Sequence, residues 1–197
     1  MKPAGEGARS RVARLSRGET GVLVLLALTT VGVFAAVLLD APPGGTWTAS
    51  AGRAPTDQLE YLWWIRDAAE HALVSNRFGL TGSDHSFLHP MFVFSGLLAK
   101  AGLSLQLSYL AWVPVAFAVL FAGHVAYVRR VESDARSRWQ ALLIALFFFT
   151  PAVPVIYLTH IGGPQAHTDI GLMGDELFSA GYLWGYLPRA IGVGLVP

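Results

Sequence analysis

The chain contains no cysteine. Disulfides, thiolate nucleophiles and zinc–thiolate sites are therefore excluded, and redox usage gives no compartment. Charge is scarce too. Asp, Glu, Lys and Arg make up 14% of 197 residues, against about a quarter in a soluble domain. With 53% hydrophobic residues, too little charge remains to cover a water-exposed surface of this size, so the class is a polytopic membrane protein. The formal net charge is only +1, and this balance points to no nucleic-acid partner. Internal repeats and low-complexity tracts are absent as well.

What the chain does have is long uncharged runs. Gly21 to Leu39 carries no charge and ends at Asp40. As a helix rising ~1.5 Å per residue it spans about 28 Å, close to a bilayer's hydrocarbon core. Arg9, Arg11, Arg14 and Arg17 precede it, so the positive-inside rule keeps the N-terminus cytoplasmic. A cleaved signal peptide has an apolar region of ~7–15 residues; this run is longer, and the cleavage-like Ala49-Ser50-Ala51 lies well beyond it.

The predicted organisation is an all-α helix bundle of the cell membrane, crossing the lipid bilayer several times. Residues 1–19 form a basic cytoplasmic tail and 20–197 a membrane domain. Spans are expected at about 21–39, 104–128 and 139–158, with a fourth starting at 189–197. The chain stops inside that fourth apolar segment, and a larger protein is expected. The outer loops are 40–103 and 159–188. Pro114 is positioned to kink the second span. Arg129, Arg130, Arg136 and Arg138 mark the loop after it as cytoplasmic.

The first outer loop carries amphipathic, interfacial helices. From Asp57 to Leu73, Leu62, Ile65, Ala69 and Leu73 fall on one side; Asp57, Glu60, Trp64, Asp67 and His71 fall on the other. Such a helix lies in the membrane interface, with Trp63 and Trp64 at headgroup depth. Met91 to Leu98 is a shorter apolar helix opened by His89-Pro90.

Asp57 and Glu60 have two compatible readings. Their spacing fits a capping box. A carboxylate just outside a span is also placed to act as general base on a lipid-tethered substrate. In the second outer loop, His160, His167, Asp169, Asp175 and Glu176 read either as metal ligands for Mg²⁺ or Mn²⁺ or as a solvated loop. Ser83-Asp84-His85-Ser86 lacks the strand–turn–helix context of a nucleophile elbow and reads as loop polarity. Tyr182, Trp184, Tyr186 and Arg189 read as an aromatic belt with a flanking charge, or as a sugar- and phosphate-binding group. His124 reads as a snorkelling interfacial histidine near the arginines, or as a proton-relay residue inside the span.

This layout, a first span, an acidic motif on an interfacial helix, a His-Pro helix start, and two spans joined by a basic turn, resembles the N-terminal part of the integral-membrane GT-C glycosyltransferases. These include protein mannosyltransferases, aminoarabinose transferases and oligosaccharyltransferases. The family pattern of Asp-Glu followed by Tyr is matched by Asp57 and Tyr61; Gln58 replaces the paired acid, and Glu60 stands two positions on. The resemblance implies transfer of a sugar from a polyprenyl-phosphate donor to an acceptor on the extracytoplasmic face. Asp57 and Glu60 would be catalytic, Tyr61 and Arg189 substrate-binding, and Asp175 and Glu176 the holders of a divalent cation, Mg or Mn. It also implies that residues 1–197 alone would not turn over. The alternative is a non-catalytic polytopic membrane subunit or transport-related protein.

Overall fold

The computed structural model describes residues 14–39, 43–49, 55–75, 84–147 and 179–196. These residues are mostly helical. Helix α1 is Arg17–Leu39 and α2 is Pro55–Glu70. Two short strands, β1 (Val74–Ser75) and β2 (His85–Phe87), pair antiparallel. Then come α3 (Pro90–Lys100), α4 (Leu105–Leu110), α5 (Val113–Val131) and α6 (Arg138–Phe147). A 3₁₀ helix, Ser179–Trp184, leads into α7 (Leu187–Leu195).

Two stretches are long and apolar enough to cross a membrane, Arg17–Leu39 and Leu105–Val131. Only 17% and 28% of their apolar windows are buried inside the protein, whereas the core helix of a soluble protein would be mostly covered. Val24, Leu28, Val31 and Leu39 on α1 are among the large side chains left outward. The second stretch is not one straight helix. The chain turns at Ala111 and Trp112, and Pro114 falls in the first turn of α5, where a missing N–H costs no hydrogen bond. Of the third expected span, α6 covers 138–147; the remainder lies outside the described residues.

Helix α1 begins at Arg17, inside the stretch expected to be tail. Ser16 starts it through a reciprocal cap. The Glu19 N–H donates to Ser16 Oγ (3.2 Å), and the Ser16 N–H donates to Glu19 Oε2 (2.7 Å), a capping box. Glu19 is almost fully buried and receives the Arg129 guanidinium from the far end of α5, Nε to Oε1 and Nη2 to Oε2, both 2.9 Å. This joins the N-terminal end of α1 to the C-terminal end of α5. With Arg130, Arg136 and Arg138 following directly, one end of the bundle is basic.

The opposite end is built where α2 and α4 meet the turn before α7. Helix α7 starts beside Tyr109 of α4, whose hydroxyl accepts from the Leu187 N–H (3.3 Å). Further on, Gly194 packs on Val119 and Leu120. Helix α7 therefore runs alongside α5 in the same direction. Gly123 and Gly194 make this approach possible: a Cβ on Gly123 would collide with the Gly194 carbonyl, and one on Gly194 would lie 2.6 Å from the Val119 oxygen. Small residues at such crossings let helices pack in lipid without a hydrophobic driving force. Gly123→Ala is expected to destabilise the protein by about 1–3 kcal/mol through overpacking, read as a lower thermal midpoint in detergent; Gly21→Ala, with nothing within 4 Å of its Cβ, is the neutral comparison.

Candidate functional site

Helix α2 carries the acids of the first outer loop. It begins at Pro55, and proline is well suited to a first helical position. That start corrects the cap reading. Asp57 lies within the first turn rather than at the N-cap, and its carboxylate faces the positive end of the helix dipole. Asp57 is exposed, and Glu60 and Tyr61 are half-buried.

The face of α2 expected to meet water is packed at Trp64 and Asp67 and exposed at Asp57 and His71. Trp64 stacks with Tyr61, Phe92 and Phe87, at centroid distances of 6.0, 5.2 and 5.9 Å. Its indole Nε1–H donates to the Ser75 carbonyl (3.2 Å), so it anchors the strand pair. Asp67 is buried, while Leu73, expected on the apolar side, is 37% exposed. Two neighbours produce this: α3 lies across α2 so closely that a Cβ on Gly96 would be 2.6 Å from the Ala68 backbone, and the strand pair reaches Asp67 through Ser75 and His85. The apolar surface of α3 demands cover from α2 as well as the reverse.

Gln58 decides where this helix docks. It is fully buried, and its amide Nε2 donates to the Gly185 carbonyl (2.7 Å). The buried Tyr109 hydroxyl donates to the same carbonyl. One backbone oxygen therefore ties α2 and α4 to the turn that opens α7. A glutamate at position 58 has no N–H to give unless it is protonated. Gln58→Glu is expected to cost about 1–3 kcal/mol at neutral pH. Its stabilising state is the protonated one, so the folded-state pKa is raised. The loss then shrinks below the ordinary glutamate range and grows as pH rises through the raised value; thermal midpoints at several pH values measure this.

This docking brings Asp57, Glu60 and Tyr61 towards Arg189 of α7. The Tyr61 hydroxyl is pushed up first by burial and then by Asp57, pulled down by Arg189, and pushed up again by Glu60. Asp57, Glu60 and Arg189 are thus each within electrostatic reach of the Tyr61 hydroxyl. The Glu60 carboxyl is raised by burial and by the charge of Asp57, so it holds its proton to higher pH than a free glutamate. The Arg189 guanidinium lies over the rings of Tyr182 (5.6 Å) and Tyr186 (5.4 Å), which orient a cation by their π-faces. Tyr182 and Tyr186 are half-buried, Trp184 is buried and Arg189 is exposed.

Asp175 and Glu176, the expected holders of a divalent cation, lie outside the described residues, as do His160, His167 and Asp169. His124 is buried within α5, and its Nδ1–H donates to the Leu120 carbonyl (2.8 Å); it does not reach for the interface. Reading the sequence also missed a grouping in the first outer loop. The strand pair returns His85 to Asp67 and His71. Asp67 and His71 are one helical turn apart, which is visible in the sequence, but the arrival of His85 is not. Comparisons with protein-family models, with curated proteins and with solved structures each find no match.

Proposed function

We propose that this protein is a membrane-embedded glycosyltransferase that takes a sugar from a polyprenyl-phosphate donor on the extracytoplasmic face of the cell membrane. The observation that supports this reading is the placement of Asp57, Glu60 and Arg189 each within electrostatic reach of Tyr61, at the end of the bundle opposite the arginine-rich end. By the positive-inside rule the basic end is cytoplasmic, and the acids then face outward. The chain would cross the membrane several times with its N-terminus inside.

In this reading the Asp57 carboxylate takes the proton from the acceptor hydroxyl as that oxygen attacks the anomeric carbon. The bond between this carbon and the donor's phosphate oxygen breaks, and the polyprenyl phosphate leaves with its negative charge matched by Arg189. The donor's lipid tail stays in the bilayer beside the apolar flank of α1. Glu60, its carboxyl raised by burial and by the charge of Asp57, stands beside Asp57 on the same helix.

A photoreactive polyprenyl phosphate, added to membranes carrying the protein at its natural length, tests the donor site. Arg189→Gln is expected to reduce specific labelling ~10-fold or more, the value of one hydrogen bond to a charged group. Asp57→Asn is expected to leave it nearly unchanged, since that residue faces the acceptor. Equal labelling of the wild type and Arg189→Gln overturns the assignment of Arg189. Absence of specific labelling in the wild type overturns the donor class.

A further inference from the structure

Away from the acids at the start of α2, its other end carries a second constellation. Asp67 projects from the last full turn of the helix. His71 follows one turn later, its N–H bonded to the Asp67 carbonyl (2.8 Å), which prolongs the helical geometry past Glu70. His85 arrives from β2. His71 Nδ1 and His85 Nε2 both lie 3.1 Å from the same carboxylate oxygen, Asp67 Oδ1. The two imidazole rings are 3.9 Å apart, centroid to centroid.

From this convergence we infer that Asp67, His71 and His85 form a binding site for a divalent transition-metal ion of the Zn²⁺ class. Three observations carry the assignment. The first is spacing. A zinc ion with bonds of ~2.0–2.1 Å holds its ligand atoms ~3.3 Å apart along the edges of a tetrahedron. The two nitrogen–oxygen separations are 3.1 Å, and one ligand atom from each residue lies within 4.8 Å of the others. The ion would enter by replacing two N–H···O contacts, the rings turning their nitrogens from the oxygen to the ion.

The second observation is orientation. The other carboxylate oxygen, Asp67 Oδ2, accepts the Ser75 N–H at 2.9 Å and the Ser75 hydroxyl at 3.4 Å. This fixes the carboxylate plane and leaves Oδ1 aimed at the histidines. Outer hydrogen bonds of this kind commonly orient metal-ligating carboxylates. Trp64 holds the same strand through the Ser75 carbonyl, so the platform under the site is tied to α2 twice.

The third is access. The Asp67 side chain is 8% exposed, but those of His71 and His85 are 47% and 39% exposed. An ion can therefore reach the cluster from solvent, and a fourth position remains for water or for a ligand from outside. Two imidazoles and one carboxylate favour Zn²⁺ over Mg²⁺ or Ca²⁺, which prefer all-oxygen shells.

The site is separate from the proposed transfer centre. Asp57 and Asp67 stand ten residues apart on one helix, about 15 Å along its axis, so the assignment stands without the transferase reading. Its consequence is mechanical. The ligands come from α2 and from β2, and an ion bound between them clamps the strand pair onto the helix.

The test uses the protein at its natural length, purified with a tag free of histidine and stripped with chelator. Titration with ZnCl₂ is expected to load one ion per chain, seen by elemental analysis and by calorimetry, and to raise the thermal midpoint. X-ray absorption at the zinc edge is expected to show two imidazoles and oxygen ligands. Each of His71→Ala, His85→Ala and Asp67→Asn is expected to weaken binding at least ~10-fold. The double variant His160→Ala/His167→Ala is expected to bind as the wild type does. Failure of the wild type to retain zinc, or full binding by both the His71→Ala and His85→Ala variants, overturns the site. So does loss of binding in the His160/His167 variant with retention in His85→Ala.

Discussion

Replacing Asp57 with asparagine is expected to lower sugar transfer by about 10²–10⁴-fold, the contribution of a positioned general base, with expression and folding nearly unchanged. The substitution keeps the shape of the side chain and removes its charge. Asp57 is exposed in the first turn of α2, where a carboxylate gains only ~0.3–1 kcal/mol from the helix dipole. Stability and catalysis should therefore separate. Glu60→Gln is the informative companion. In the proposed reading Asp57 and not Glu60 takes the acceptor's proton, so Glu60→Gln should change transfer less than Asp57→Asn does. The measurement is transfer from a radiolabelled polyprenyl-phosphate sugar in membranes containing the protein at its natural length. Retention of more than a tenth of wild-type transfer by Asp57→Asn would reduce Asp57 to a helix-start residue.

Arg129→Ala is expected to destabilise the protein by ~3 kcal/mol, the lower end of the range for removing one partner of a buried ion pair. The Glu19 side chain is only 3% exposed and that of Arg129 is 23% exposed. Truncating the arginine removes both 2.9 Å bonds and leaves the carboxylate facing the helix bundle with the Ser16 N–H as its remaining bond among those described. Arg129 Nη2 also donates to the Arg14 carbonyl (3.2 Å), so the start of α1 should loosen as well. The double variant Glu19→Gln/Arg129→Met keeps a capping side chain and removes both charges; it is expected to recover more than half of the loss. Unfolding in detergent, by heat or denaturant, measures all three. A loss under ~0.5 kcal/mol for Arg129→Ala would show an exposed pair of little worth.

Much of the helical framework is legible in the chain. The uncharged run at 21–39 is the body of α1, and the helices expected near 57–73 and 91–98 are α2 and α3. Their ends are less so. Glu19 and Arg17 look like tail residues until Ser16 and Glu19 cap each other. The helical wheel of α2 misplaces Trp64 and Asp67, because a wheel assumes one apolar neighbour and one water face. Here α3 covers a second side and the strand pair a third.

The candidate site divides in the same way. Asp57, Glu60, Tyr61 and Arg189 can each be picked from the chain by residue type and position. That Gln58 docks them together, through a carbonyl shared with Tyr109, cannot. The Gln58 amide donates there where an ionised acid could not.

What the sequence by itself determined is composition-driven: scarce charge, apolar runs of membrane length, and arginines gathered where one end of the bundle forms. These follow from properties summed over neighbouring residues. What only the tertiary structure decided is pairwise and distant: Glu19 with Arg129, Gln58 with Gly185, His85 with Asp67. Each depends on a helix crossing or a chain reversal whose angle is set by small residues and backbone hydrogen bonds, and local periodicity carries no record of which remote partner will arrive.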